Sequence, residues 1–497
     1  MKILMVSAEA VPYAKTGGLA DMVSALALSL HRAGHDVRIV MPRYYAIDRS
    51  ALRLLPEPMG VPVGSLGEQW TAVYATELPG SARANGGGLP VYFIDHEQSF
   101  GREGVYGSPA ESDFHDNPAR FSVLCNGAFQ LCRKLGWFPD VIHAHDWSAA
   151  LAPVLLKFVE RRQGFGGTAS VFTIHNLGYQ GNYSKDYFPV LGLGWEHFFA
   201  SGFEDWDRIN FLKAGLCSAD ALTTVSPTYA AEIQSGEHGF RMDGVLRSRS
   251  GDLYGILNGV DTEIWNPAKD KRLARTYTAR TLAAGKALNK RALQQRMGLP
   301  EDASVPLIGM VTRLTDQKGV AEVFAPTFGC AYRLCSQIAL QFAVLGAGER
   351  WCQDEIRQLE SKLPNFRAYL GYDDGLSHQI EAGSDFFLMP SRYEPCGLNQ
   401  MYSLLYGTLP IVRRTGGLAD TVQNYDDKTG GGTGFMFDYL SPQSVFDTVC
   451  WAVYAWSHRP DHIAHMRKRA MQQEFGWSVA AARYADVYEA ALKKLTR

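Results

Sequence analysis

Short apolar or β-branched runs alternate along this chain with longer segments whose apolar residues recur at helical spacing. In the first half the runs are KILMVSAE (2–9), DVRIVMP (36–42), LPVYFIDH (89–96), DVIHAHD (140–146), SVFTIHN (170–176) and ALTTVSP (221–227). In the second they are PLIGMVTRL (306–314), LQFAVLGAG (340–348), RAYLGY (367–372), DFFLMPS (385–391), LPIVRRTG (409–416) and GFMFD (434–438). Helical patterns such as DMVSALALSLHRAGH (21–35) and GLNQMYSLLYG (397–407) lie between them. Strand–helix alternation predicts parallel sheets covered by helices on both faces. Two such series predict an α/β protein of two doubly wound, Rossmann-like domains, 1–250 and 251–476. The polar, glycine-bearing stretch RSRSGDLYGILNGVD (247–261) marks the boundary, and 477–497 reads as a final amphipathic helix. The glycine-rich stretches GGGLP (86–90) and TGGGTG (429–434) read as surface turns.

Length and composition agree with this division. A chain of 497 residues exceeds what one hydrophobic core organises, and 46% hydrophobic with 20% charged residues is ordinary for a folded protein. A formal charge of −2 without like-charge blocks argues against nucleic acid or an anionic membrane as partner. No run approaches the roughly 18 apolar residues that a membrane span needs, and the N-terminus reads as a strand rather than a signal peptide. Eight cysteines without a CxxC pair read as reduced thiols of a cytoplasmic protein.

One repeat stands out. TGGLAD occurs at 16–21 and again at 415–420, each time after an apolar run and a basic residue. In open α/β sheets ligands bind beyond the carboxyl ends of the strands, where a helix N-terminus offers unpaired amides and a partial positive charge. Diglycine there lets an anion or a sugar approach the backbone, and Lys15 adds a full charge in the first copy. If the two sheets point their carboxyl ends at each other, the two turns face one cleft. A plain tightening of the strand-to-helix turn is the bland alternative. Neither copy carries GxGxxG or GxxxxGK[ST], which disfavours dehydrogenases and P-loop nucleotidases.

Other strand exits carry polar residues too. VIHAHDW puts His143 and His145 on one strand face, then Asp146 and Trp147. His-x-His-Asp could bind a metal, but no third or fourth ligand follows at clear spacing, and a sugar or structural role is favoured. Trp147 is a candidate sugar platform, whereas core packing is the expected use of most of the ten tryptophans. His175 and Asn176 leave the next strand. In the second half, Arg313 and Lys318 on one exit loop suit a diphosphate, Tyr372 offers a stacking surface, and Glu394 precedes a helix opening near Gly397–Leu398. Glu394 could touch a bound sugar or cap that helix.

KTGGLAD, HAHDW, FTIHNLGYQG, LNGVD, TRLTDQKG, SRYEPCGLNQ and RRTGGLADTV, in this order over nearly the whole chain, resemble the bacterial glycogen synthase and plant starch synthase family. The resemblance implies a retaining glucosyltransferase of the GT-B type, which moves glucose from ADP-glucose to the non-reducing end of an α-1,4-glucan and needs no metal or other cofactor. It also implies that the first domain lies on the acceptor side, the second on the donor side, and that the last helix crosses back to the first. Residue by residue, it implies that Lys15, Gly17, Gly18 and Asp21 belong to the donor site. Asp146, His175, Asn176 and Asn258 would lie near the transferred glucose, with Asp146 and His175 sharing the catalytic role of the acidic Glu394. Arg313 and Lys318 would hold the diphosphate, Tyr372 the adenine side, Cys396, Gly397 and Leu398 the phosphate, and Thr415, Gly416 and Gly417 the sugar or distal phosphate. Two positions depart from relatives: Asn399 stands where Thr or Val is common, and Tyr402 where broader relatives carry a second Glu. A glycoside hydrolase would need two carboxylates and leave Arg313 and Lys318 without a purpose. A phosphorylase would need a pyridoxal phosphate site, which no segment resembles, and a glucan-binding protein would not need the cations.

Overall fold

The computed structural model describes residues 1–82 and 87–496, so Gly86 of the GGGLP turn lies outside the described residues. The chain forms two compact units, Met1–Gly259 with Trp477–Arg497, and Val260–Gly476. The first unit extends past residue 250 because strand Leu253–Gly255 pairs in parallel with Ala221–Thr224 and so closes the edge of the first sheet.

That sheet runs in the order Leu253–Gly255, Ala221–Thr224, Ala169–Ile174, Val141–His145, Lys2–Val6, Asp36–Pro42, Pro90–Asp95, Glu68–Glu77 and Arg53–Leu54, with Met59–Pro62 paired to Glu68–Glu77. Its middle is parallel and buried. Lys2–Val6 lies between Asp36–Pro42 and Val141–His145 and buries Ile3 to Val6 almost completely. The far edge is antiparallel: Glu68–Glu77 pairs with Pro90–Asp95 in that sense. The expected strands of the first half are all present, but Glu68–Glu77 was not among them. Its side chains alternate between half-exposed and buried, so EQWTAVYATE lacks the continuous apolar run of a central strand.

Helix Gly18–Arg32 packs Leu19, Met22, Val23, Leu26 and Leu30 inward at helical spacing. Against it lies the last helix, Trp477–Leu495, which also covers strand Ala169–Ile174. Its Tyr484 and Tyr488 are fully buried.

The second unit holds six parallel strands in the order Phe366–Leu370, Gln341–Gly346, Leu307–Val311, Phe386–Met389, Leu409–Arg413 and Phe435–Phe437. Ile308, Phe342, Phe366, Phe386, Ile411 and Phe435 form one core, together with Cys330 and Cys335. Burial pushes both of those thiols up to about 12, the behaviour of packing groups rather than of reactive ones. Among the described residues no helix is long and apolar enough to cross a membrane.

Candidate active site

In the parallel part of each of the two large sheets the strand order reverses at one point, and open α/β sheets bind ligands there. In the second unit the reversal falls between Leu307–Val311 and Phe386–Met389. A cavity of about 190 Å³ lies at that point, lined by Arg313, Lys318, Ser391, Glu394, Gly397 and Asn399 among others. Glu394 is buried there: its Oε2 accepts from Lys318 Nζ at 2.6 Å and from Ser391 Oγ at 2.8 Å. It therefore pairs with a cation across the cavity and does not cap the following helix, Asn399–Leu405, which has no side-chain cap. Arg313 is exposed at the mouth, with only a long 3.5 Å contact to Gln317 Oε1. Thr315 Oγ1, on the same loop, is buried without a hydrogen-bond partner. Asn399 donates to the Val311 carbonyl at 2.7 Å and so ties the helix to the neighbouring strand end.

Glycines hold the Glu394 loop from behind. A Cβ on Gly319, which has φ +66°, would lie 2.9 Å from the Pro390 carbonyl carbon; one on Gly416, with φ +42°, would lie 2.9 Å from that of Glu394. Gly417 N donates to the Glu394 carbonyl at 3.1 Å. Thr415, Gly416 and Gly417 are all buried. This diglycine turn thus supports the Glu394 loop and is not among the residues lining that cavity; the resemblance implies that it approaches the sugar or distal phosphate. Cys396 is buried in the same loop, and Leu398 borders the cavity with Gly397. Tyr372 is 85% exposed beyond strand Phe366–Leu370, two strands along the carboxyl edge from the cavity.

The first unit reverses between Lys2–Val6 and Val141–His145. Asp146 leaves the second of these with φ 55°, a left-handed backbone that strains a non-glycine residue, and its Oδ1 accepts from His175 N at 2.7 Å. Burial raises its carboxyl to about 7, helped by the charge of Glu9 and opposed by the amides of His175 and Asn176. Burial also lowers His143 and His175 to about 3 and His145 well below its ordinary value, so all three imidazoles are neutral at pH 7. His143 commits both ring nitrogens, to Tyr488 OH at 2.8 Å and Thr173 Oγ1 at 2.6 Å. His145 and His175 meet at 3.2 Å. Asn176 accepts from Gly178 N in a local turn, and Asn258 Oδ1 is buried without a partner.

The first TGGLAD copy differs from the second. A Cβ on Gly17 would meet nothing within 4 Å, and the backbone there is extended, at φ −158°. Lys15 pairs with Asp21 at 2.8 Å on the surface, and Gly18 opens the helix. What positions this turn is Glu9, which sequence reasoning missed: its carboxylate accepts from Thr16 N, from Thr16 Oγ1 at 2.8 Å and from Tyr106 OH at 2.8 Å. The available signal was a lone acid closing an apolar strand. Trp147, the candidate sugar platform, is 8% exposed and packs on Phe121, Tyr106 and Tyr183, because the short helix Asp146–Ala149 turns it into the core.

The chain is similar to known proteins over nearly its whole length. A family described as starch synthase catalytic domain matches residues 2–248. A glycogen synthase of Treponema denticola is 61% identical over 494 residues, covering 99% of each chain. Glycogen synthase 1 of Geobacter metallireducens is 49% identical over 99% of this chain and 97% of its own. The solved catalytic domain of starch synthase IV from Arabidopsis thaliana, bound to ADP and acarbose, superposes with a TM-score of 0.88 at 32% identity and 99% coverage of both chains. A sucrose-phosphate synthase from Thermosynechococcus elongatus shares the fold, with a TM-score of 0.60 at 17% identity.

Proposed function

From a chain that belongs to the bacterial glycogen synthase and plant starch synthase family, we infer a retaining glucosyltransferase that moves glucose from ADP-glucose to the non-reducing end of an α-1,4-glucan. The observation that carries the reading is the cavity at the second unit's strand reversal, where a buried carboxylate pairs with Lys318 and a second cation, Arg313, stands at the mouth. Breaking the donor bond leaves negative charge on ADP and an oxocarbenium-like sugar. Arg313, Lys318 and the amides near Gly397–Leu398 answer the first; Glu394 answers the second. Each charge-assisted hydrogen bond contributes about 1.5–3 kcal/mol, so two cations supply about 10²–10⁴ in rate.

Tyr372 suits the adenine side. Two strand spacings of about 4.8 Å place its strand about 10 Å from the diphosphate loop along the sheet edge. In the first unit, Asp146, the His175 backbone and the unpartnered Asn258 Oδ1 are assigned to the sugar, and the open space at Gly17 to the donor. Because fixed cations take the charge of the leaving group, the reading calls for no divalent ion or other cofactor. The eight free thiols suit a cytoplasmic location. A hydrolase does not fit, since Glu394 is the sole carboxylate among the described residues lining the cavity.

The test is ADP release from ADP-glucose with and without glycogen, with Glu394→Gln, a UDP-glucose arm and an EDTA arm alongside. Glycogen-dependent release that survives EDTA and is lost in the variant is expected. No release with either donor overturns the transferase reading, release from UDP-glucose alone overturns the donor, and loss in EDTA overturns the metal-free route.

A further inference from the structure

Six non-glycine residues have left-handed backbone among the described residues: Glu57, Asp146, Trp206, Asp207, Phe240 and Arg241. Four of them form two consecutive pairs on one surface of the first unit. Trp206–Asp207 turns the small hairpin between Glu204–Asp205 and Arg208–Asn210. Turns with both central residues left-handed favour Asn-Gly, so Trp-Asp is a strained choice. Asp207 is held in place by Lys185 Nζ at 2.6 Å and by Glu204 Oε1, which accepts from its amide at 3.0 Å. The turn leaves the Trp206 ring 79% exposed, the most exposed tryptophan among the described residues.

The second strained pair is wired to the first. Asp205 Oδ2 accepts from Arg241 Nη2 at 3.0 Å and from Asn210 Nδ2 at 3.3 Å. Asn210 also donates to Gln180 Oε1 at 2.8 Å, and Gln180 Nε2 donates to the Phe240 carbonyl at 2.9 Å. Gln180 follows Tyr179, whose ring is 53% exposed and whose amide bonds back to the Asn176 carbonyl at 3.2 Å. This network therefore runs without a break from the His175–Asn176 strand exit to the Trp206 turn.

We propose that Trp206, with the exposed rings of Tyr179 and Phe240 on the same hydrogen-bonded network, is a platform for the acceptor glucan, which grips sugar units remote from the reacting end. The proposal rests on the synthase reading above. Packing does not account for the arrangement, because a strained turn that displays a tryptophan to water gains nothing for the fold; strain of this kind persists where function retains it. An α-glucan matches the surface chemically. Its glucose rings present apolar faces to an aromatic ring and hydroxyl edges to groups such as Asp207, Glu204, Lys185 and Arg241. The continuity with the His175 loop gives the bound chain a path toward the candidate site of the same unit.

The experiment compares the wild type with Trp206→Ala and with the double variant Trp206→Asn/Asp207→Gly, which installs the residues this turn prefers. Migration in native gels with and without glycogen measures the grip without catalysis. KM for glycogen and for maltotriose measures it in turnover. We expect the wild type to be retarded by glycogen and both variants to be retarded less. KM for glycogen should rise by roughly two- to tenfold, the weight of one aromatic contact, and by more than KM for maltotriose. The double variant should do this while melting at a higher temperature than the wild type. Equal retardation of all three proteins overturns the platform, as does an equal change for both acceptors; a lower melting temperature in the double variant overturns the strain argument behind it. Absence of ADP release by the wild type would instead fall on the synthase reading, which the gel assay does not depend on.

Discussion

The two TGGLAD turns make opposite predictions for the same substitution. A methyl on Gly417 would lie 2.5 Å from the carbonyl carbon of Cys396 and 2.6 Å from its Cα, where unstrained carbon contacts sit near 3.5–4.0 Å. The obstacle is backbone, so the Glu394–Cys396 loop must move by about 1 Å. Overpacking of this kind costs about 1–3 kcal/mol, partly offset by up to about 1 kcal/mol of helix propensity. Gly417→Ala should therefore lower Tm by roughly 2–8 °C. A shift of about 1 Å at a reacting group costs about 10²-fold, so kcat should fall by that order even at temperatures where the variant is fully folded. Gly17→Ala meets no protein atom within 4 Å at an extended φ of −158°. Its gain from unfolded-state entropy, about 0.4–1 kcal/mol, and its loss as a helix cap are similar in size, so Tm should stay within about 2 °C. If that space receives the donor, the methyl should raise KM for ADP-glucose by about tenfold. Calorimetry and ADP-release kinetics on the two variants decide the matter. Full kcat in Gly417→Ala would refute the loop-support argument, and an unchanged KM in Gly17→Ala would refute the donor space.

Asp146 has a folded pKa of about 7 against an ordinary 3.8, so the native state holds its proton more tightly than the unfolded chain. Its contribution to stability is full below about pH 4 and is lost as pH rises through 7; Asp146→Asn should therefore gain stability relative to wild type between pH 4 and 8, and parallel urea-unfolding curves at the two pH values would contradict this. Tyr488→Phe strips the partner from His143 Nδ1 and leaves that buried nitrogen unsatisfied, at about 1–3 kcal/mol. Hydrogen exchange in helix Trp477–Leu495 should accelerate accordingly, and unchanged protection would mean the bond contributes nothing.

The parallel cores were legible because their strands are buried on both faces and read as unbroken apolar runs, as at Lys2–Val6 and Phe386–Met389. The antiparallel edge and the Glu204–Asn210 hairpin were not, since half-exposed short strands leave no such signature. Strand exits drew attention to Arg313, Lys318 and Glu394, and the structure gathers the three around one cavity. Glu9 escaped notice because a single acid in an apolar run carries no periodic signal, and Trp147 misled because adjacency to Asp146 says nothing about which way a helix turns the ring. Charged residues in helices read as solvent-facing, yet Lys290 and Arg467, on two different helices, close on the buried Asp385 at 2.8 Å and 2.7 Å. Such a network needs partners from three distant segments, and only the fold brings them together.

Tyr402 lies on the helix that follows the Glu394 loop. Where a second Glu would stand in broader relatives, its ring stacks on Trp265 at 3.7 Å and 5°, and Trp265 stacks in turn on His378 at 3.7 Å and 7°. His378 Nδ1 lies 2.6 Å from Asp270 Oδ2, and Ser403 Oγ bonds Glu381 Oε2 at 2.6 Å from the same helix. Helix Asn399–Leu405 is therefore anchored from its inner side by a stacked ring and a buried hydroxyl, while its first turn borders the cavity through Asn399. A carboxylate at 402 would trade that stack for a negative charge on a helix that carries none. The cavity itself carries one carboxylate, Glu394, against Arg313 and Lys318. That local balance of charge favours a dianionic diphosphate.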